Sequence, residues 1–355
     1  MTRRKIQLVG GSTYSVSLPK EWAEMQEVDP GDEVTLHTHV DGVLAVEPCD
    51  RDSASGVPEN LVFDVDGCGP DELGGLLHAA YATGVERVSF EADEGFSPAH
   101  RRAVDGVVSE LTGVTVSDES DHAITVNVPL DPAKVSIRKS VRQLSFIALS
   151  MHRNATAALF GEIDPESVLD RSAESTRLHA LVDRHFRRSL SRLAEVDALN
   201  ISREELFALW TTSRELDRVC AAAATIAETA RRIEAPPSEP LADGLREAAR
   251  AARRCVETAT TAVVDGCDRG AFRTSIADSE RPAALVDTVD RHVSEAGTSI
   301  VRLPRALDAI ERTSVHGAAI AQAGLRRSVY EHERSPDDQP TRGPWNVEGV
   351  STGDD

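Results

Sequence analysis

From residue 131 to residue 334, apolar side chains return every three or four positions almost without interruption. That period lays them along one stripe of an α-helix; strand side chains alternate in twos instead. Over 203–233 the stripe is Leu209, Leu216, Val219, Ala223, Ile226, Ala230 and Ile233. Over 239–265 it is Leu241, Leu245, Ala248, Ala252, Cys255, Ala259 and Ala262, and over 134–160 Val141, Leu144, Ala148, Met151, Ala155 and Ala158. Breaks at Gly161–Pro165, Asn200–Ser202, Ala235–Pro240, Gly266–Gly270 and around Arg302–Pro304 divide the region into six helices: 134–160, 165–198, 203–234, 239–266, 271–302 and 304–334. Small Ala, Gly and Ser at core positions let helix axes approach closely.

The six helices fall into two sets of three. The second helix of each set carries a D-R-H triplet, Asp183-Arg184-His185 and Asp290-Arg291-His292. The third carries an acid–Arg pair, Asp217-Arg218 and Glu311-Arg312. An internal repeat of about 100 residues follows, building two antiparallel three-helix bundles over 131–234 and 235–334. Residues 335–355, SPDDQPTRGPWNVEGVSTGDD, lack any period and read as a disordered tail. Trp22 and Trp210 read as core anchors.

The chain ahead of the helices changes character twice. Residues 58–130 order as βαβαββ, with helices near 70–83 and 97–112, which fits a small α/β domain with both helices on one sheet face. It contains no G-x-G-x-x-G, P-loop or nucleophile elbow. Residues 1–48 pack strand, Gly10-Gly11 turn, strand, a Pro19-led short helix, the Asp29–Asp32 turn and a hairpin around Asp41-Gly42 into a segment too short to bury a core alone. The fold class is therefore mixed and mainly α: a small β-hairpin module, a small α/β domain and two three-helix bundles.

The chain is strongly acidic, with 59 Asp and Glu against 39 Lys and Arg, a formal charge of −20, and only Lys5, Lys20, Lys134 and Lys139 as lysines. Acid-rich, Lys-poor, Ala-rich and aromatic-poor is the composition of a halophilic protein; a high-GC genome pushes Ala and Arg the same way. Yet residues 1–22 hold Arg3, Arg4, Lys5 and Lys20 against Glu21 alone, a net of +3 that leaves about −23 on the remainder. Such a body repels nucleic acid, so any DNA contact falls to the N-terminal end. The five cysteines, Cys49, Cys68, Cys220, Cys255 and Cys267, show no metal or disulfide spacing. With no apolar leader and no run near the roughly 18 residues a bilayer span requires, a cytoplasmic protein without stable membrane insertion is expected.

Several of these segments look familiar. Arg4-Lys5-Ile6-Gln7, Gly10-Gly11, Ser17-Leu18-Pro19-Lys20-Glu21-Trp22, Pro30-Gly31-Asp32 and Asp41-Gly42 resemble the AbrB/MazE/SpoVT swapped-hairpin DNA-binding domain. SRELDRVCAAAATIAE (213–228) and LDAIERTSVHGAAIAQ (307–322) resemble a helix of the PhoU domain. The whole order is similar to archaeal phosphate-uptake regulators that fuse the two. The resemblance implies that two N-terminal segments interleave as a homodimer over DNA. It also implies that the bundles sense a phosphate transporter ATPase, a signalling protein or another subunit.

Arg3, Arg4, Lys5 and Lys20 are the expected DNA contacts, since Arg and Lys neutralise phosphates and Arg can fork onto guanine. Ser12, Thr13 and Tyr14 are placed to donate to phosphate. Without the resemblance, such residues read as a solvated tail. In molar salt the screening length is only about 3 Å, so close hydrogen bonds and shape carry more of the recognition.

The PhoU resemblance further implies divalent metal held by paired acids at i and i+4. Here each pair has lost one member: Asp217 is followed by Ala221, Glu311 by Val315, Asp183 is preceded by His179, and Asp290 by Val286. The remaining His179, Asp183, Asp217, Asp290 and Glu311 are either a reduced metal site or ordinary surface groups; His292 and His316 read as polar-face residues. No catalytic arrangement has a supporting motif, so no enzyme and no firm cofactor is expected. The leading expectation is a DNA-binding regulator of phosphate uptake; the rival is an adaptor that restrains a phosphate transporter without touching DNA.

Overall fold

A computed structural model describes residues 3–11, 13–38, 43–48, 60–233, 236–237, 239–266, 268–280 and 303–332. The architecture is mainly helical, with the hairpin module first, the sheet domain second and the helical body last. Among the described residues no helix is long and apolar enough to cross a membrane.

The front module is two antiparallel ribbons around one short helix. Strand β1 (Gln7–Val9) pairs with β2 (Thr13–Ser15), Leu8 opposite Tyr14. Between them Gly10 and Gly11 hold φ of +64° and +82°, a left-handed backbone that glycine adopts without steric cost. Helix α1 (Lys20–Met25) starts behind Pro19, and β3 (Val34–Thr38) pairs with β4 (Leu44–Pro48), Leu36 opposite Val46. The Asp41-Gly42 turn lies outside the described residues. No described residue of this module is buried. Ile6, Leu8, Val9, Tyr14, Val16, Leu36 and Leu44 are each at least half exposed. The single chain thus builds the hairpins but leaves their apolar faces uncovered. Trp22, expected as a core anchor, is only half-buried for the same reason.

The second layer follows the βαβαββ order. Strands β5 (Asn60–Asp64) and β6 (Arg87–Glu91) run parallel, joined through α2 (Pro70–Thr83). Helix α3 (Pro98–Glu110) leads into β7 (Thr115–Glu119) and β8 (Ala123–Asn127), giving the sheet order β5-β6-β8-β7. Val88, Phe90, Ile124 and Val126 turn one sheet face to Leu73, Leu77, Tyr81 and Val104 of the two helices, forming a separate buried cluster. On the other face Ser89 and Thr125 hydrogen-bond at 3.0 Å.

The predicted stripes are buried as a core. Helices α4 (Ile137–Ala158), α8 (Arg203–Ala230) and α9 (Glu239–Asp265) carry them, with Ser136 and Ser202 capping α4 and α8. The expected helix 165–198 is instead three pieces: α5 (Glu166–Leu169), α6 (Ser172–Ser191) and α7 (Leu193–Leu199). Arg192 adopts extended backbone (φ −119°, ψ 110°), which folds α7 back along α6 and lets buried charges on the two meet. Helix α10 (Arg269–Asp278) is capped by Asp268; the remainder of the expected 271–302 helix lies outside the described residues. Helix α11 (Leu303–His332) closes the described chain.

The segments expected to form two bundles share one core. A single cluster runs from Val141 and Leu144 through Leu216 and Val219 to Ala252, Ile310 and Ile320. Helix α11 lies antiparallel to α8, with His316 bonded to Glu215 at 2.8 Å and Arg327 within 3.4 Å of Glu205. At Gly317, a Cβ would sit 2.7 Å from Cys255 Sγ and 2.9 Å from the Val256 backbone nitrogen, so α9 and α11 touch backbone to backbone.

Candidate nucleic-acid interface

Arg3, Arg4 and Lys5 lie exposed just ahead of β1. Thr13 and Tyr14 are exposed on β2, opposite Val9 and Leu8 of β1, so one ribbon carries both sets. Ser12 lies outside the described residues. Lys20 opens α1 and lies 3.4 Å from Glu24 one turn on. At 88% exposure that ion pair is weak and leaves the ammonium open to another anion.

The sequence reading missed what ties this module to the body. His37 on β3 is largely buried between Glu47 of β4, at 3.2 Å, and Asp197 of α7, at 3.4 Å. Two residues before Asp197, Glu195 is almost fully buried. It accepts from Arg188 at 2.9 Å and pairs with the equally buried His185. Burial alone would raise the Glu195 carboxyl; the His185 hydrogen bond and Arg188 outweigh it and hold its pKa below the ordinary value. Arg188 also donates to the Gly84 carbonyl at 2.8 Å and to Glu86 at 3.0 Å, and Arg192 shares Glu86. Arg184, 1% exposed, donates to the carbonyls of Tyr81 and Val85 at 2.7 and 3.0 Å and lies over the Tyr81 ring. These carbonyls close the end of α2, where Gly84 turns at φ +95°. Helix α7 therefore touches the hairpin module through Asp197, and through Glu195 it braces the arginines that clamp the sheet domain. Only the D-R-H triplet at 183–185 hinted at this in the sequence.

Two of the residues singled out for metal, Asp183 and His179, have other partners. Asp183 accepts from Trp210 Nε1 at 2.7 Å and from Arg187 at 2.8 Å. Trp210, expected as a core anchor, is half-buried and stacks on Phe186 with ring centroids 4.3 Å apart, because its indole must reach Asp183 at the edge. His179 lies 3.2 Å from Ser213 Oγ. Burial pushes the Asp217 pKa up, opposed by His179 and Arg218. Glu311 is half-exposed on α11, and Asp290 lies outside the described residues. Among the described residues no three His, Cys, Asp or Glu converge as a metal site. The described candidates His179, Asp183, Asp217 and Glu311 are thus not grouped as ligands of a multinuclear cluster.

Residues 7–52 match the family model for "Antidote-toxin recognition MazE, bacterial antitoxin". That match covers the paired ribbons and the short helix just described. The crystal structure of PhoU from Pseudomonas aeruginosa is similar at 15% sequence identity and a TM-score of 0.49, over 55% of this chain and 96% of that one. No curated protein matches the sequence.

Proposed function

We propose that the chain is a DNA-binding transcriptional regulator of phosphate uptake, working as a homodimer through residues 1–48. The observation that carries the reading is the front module. It matches a MazE-type model, concentrates the positive charge and exposes apolar ribbon faces that a second copy would cover. Burying such faces stabilises by about 25 cal/mol per Å² of apolar area, so pairing supplies the core that one segment lacks. Arg3, Arg4, Lys5 and Lys20 contact the duplex, with Thr13, Tyr14 and Ser12 donating to phosphates. The helical body, through α7 and His37, reports a phosphate-dependent partner to the hairpins. That partner is a transporter ATPase or signalling protein; the phosphate assignment rests on the sequence resemblance of 213–228 and 307–322 to PhoU helices.

A gel shift in concentrated KCl with operator-containing DNA tests the reading. The wild-type protein is expected to retain DNA, and the Arg4→Ala/Lys20→Ala double variant to weaken binding at least tenfold. Unchanged binding by the variant removes the contact surface. Failure of the wild-type protein to bind, with recovery instead on membranes bearing a phosphate transporter, would favour the adaptor reading that the acidic body also suits.

A further inference from the structure

Strands β5 and β6 run parallel with Asp64 opposite Glu91, so the chain leaves both at the same edge of the sheet. Beside these exits lies a cavity of about 140 Å³. Open α/β sheets place their ligands there, outside the carboxyl ends of parallel strands. Its floor is apolar: Val65, Leu73 and Ala92 are buried and Phe96 is half-buried. An apolar cavity of about 150 Å³ holds a benzene-sized guest, so a body of about six heavy atoms fits. Arg184 and Arg188 clamp the opposite end of α2. For a helix of this length that end is roughly 20 Å away, which leaves the mouth of the cavity clear of the clamp.

The mouth is built from two turns. In the first, Cys68 N–H donates to the Val65 carbonyl at 3.0 Å; in the second, Gly95 N–H donates to the Ala92 carbonyl at 3.2 Å. Gly67 and Gly95 both hold φ of +77°, the left-handed backbone such tight turns need. Asp66 of the first turn accepts from the Glu94 amide of the second at 3.4 Å and ties them together. Both side chains line the cavity and both residues are exposed. Among the described residues neither carboxylate has a cationic partner; Arg101, at the same end of the domain, is paired with Glu119 and Asp121. Two neutral groups complete the wall. Burial, then Glu72 and Asp64, push the Cys68 pKa up, so it stays a thiol. His100 Nδ1 accepts from the Ser97 amide at 3.2 Å, which leaves the proton of the neutral ring on Nε2. Among the described residues no three His, Cys, Asp or Glu group for a metal ion, so the cation this mouth suits is organic.

We propose that this cavity is a binding site for a small organic ammonium ion with an apolar body of about five carbons. The ammonium meets Asp66 and Glu94, while the alkyl part displaces water from Val65, Leu73, Ala92 and Phe96. Charge-assisted hydrogen bonds to the carboxylates select the sign of the ligand, and burial of its alkyl part supplies affinity that salt does not screen. The site lies in the sheet domain and does not depend on DNA binding.

Isopentylamine titrated into the full-length protein, without DNA, at constant high KCl and followed by ligand-observed NMR, is the test. Isopentanol, isovalerate and leucine form parallel arms. Saturable binding of isopentylamine is expected, with isopentanol and isovalerate about tenfold weaker or more. The Asp66→Asn/Glu94→Gln double variant should weaken the amine about tenfold or more and leave isopentanol unchanged. Asp105→Asn, an exposed change on α3 away from the cavity, should leave both unchanged. Leucine binding as tightly as the amine identifies an α-amino acid as the ligand, its carboxylate on the His100 Nε2–H; weaker binding identifies a simple amine. Absence of saturable binding by both, equal binding of isopentanol, or wild-type amine affinity in the folded double variant overturns the site.

Discussion

Glu195→Ala is expected to destabilise the helical body by about 3–5 kcal/mol, the cost of removing one partner from a buried ion pair. The cause is what stays behind: His185 and Arg188, 1% and 7% exposed, lose their shared carboxylate. Thermal unfolding should fall by roughly 10 °C at this size. A double-mutant cycle with Arg188→Ala should show strong coupling, because the second change removes the charge that the first one orphans. Additive losses would mean that the two side chains do not act together. Acid titration is the companion measurement. Glu86, Glu195 and Glu215 all have carboxyls held below the ordinary value of 4.5, each by basic neighbours that outweigh the effect of burial. A depressed carboxyl contributes its stability above the unfolded pKa and loses it as pH falls through the folded one. The wild-type protein should therefore lose stability progressively below about pH 4.5. In Glu195→Ala that acid-side slope should be shallower.

Gly317→Ala should also destabilise, against the usual rule. Alanine in a helix interior is favoured over glycine by about 1 kcal/mol. Here the added methyl would sit 2.9 Å from the Val256 backbone nitrogen and 2.7 Å from Cys255 Sγ, which backbone-to-backbone packing cannot absorb without separating α9 from α11. Overpacking of this kind costs about 1–3 kcal/mol, which leaves a net loss and a lower melting temperature. A rise in Tm would show that α9 and α11 do not approach as closely as Gly317 indicates.

The helical stripes were legible because burial follows the 3.6-residue period: Leu209, Leu216, Val219, Leu245 and Ala252 all lie in the core. The two ribbons and the βαβαββ layer were legible from Gly, Pro and Asp punctuation. The break at Arg192 was not. No Gly or Pro marks it, and the extended backbone there allows Glu195 to fold back onto His185 and Arg188, contacts between residues that sequence spacing does not announce. The candidate interface was legible as charge, in Arg3, Arg4, Lys5 and Lys20. Its attachment to the body was invisible, because His37 meets Asp197 across 160 positions of chain.

The continuous cluster joining α4, α8, α9 and α11 means that the two bundles expected from the sequence are not separable parts. Cutting the chain between them would strip solvent-shielding partners from both fragments at once, leaving two sticky remnants in place of two modules. The helical region should accordingly melt in a single cooperative transition. Any signal received at one end is then felt across the whole of it, since neither half can loosen while the other stays intact.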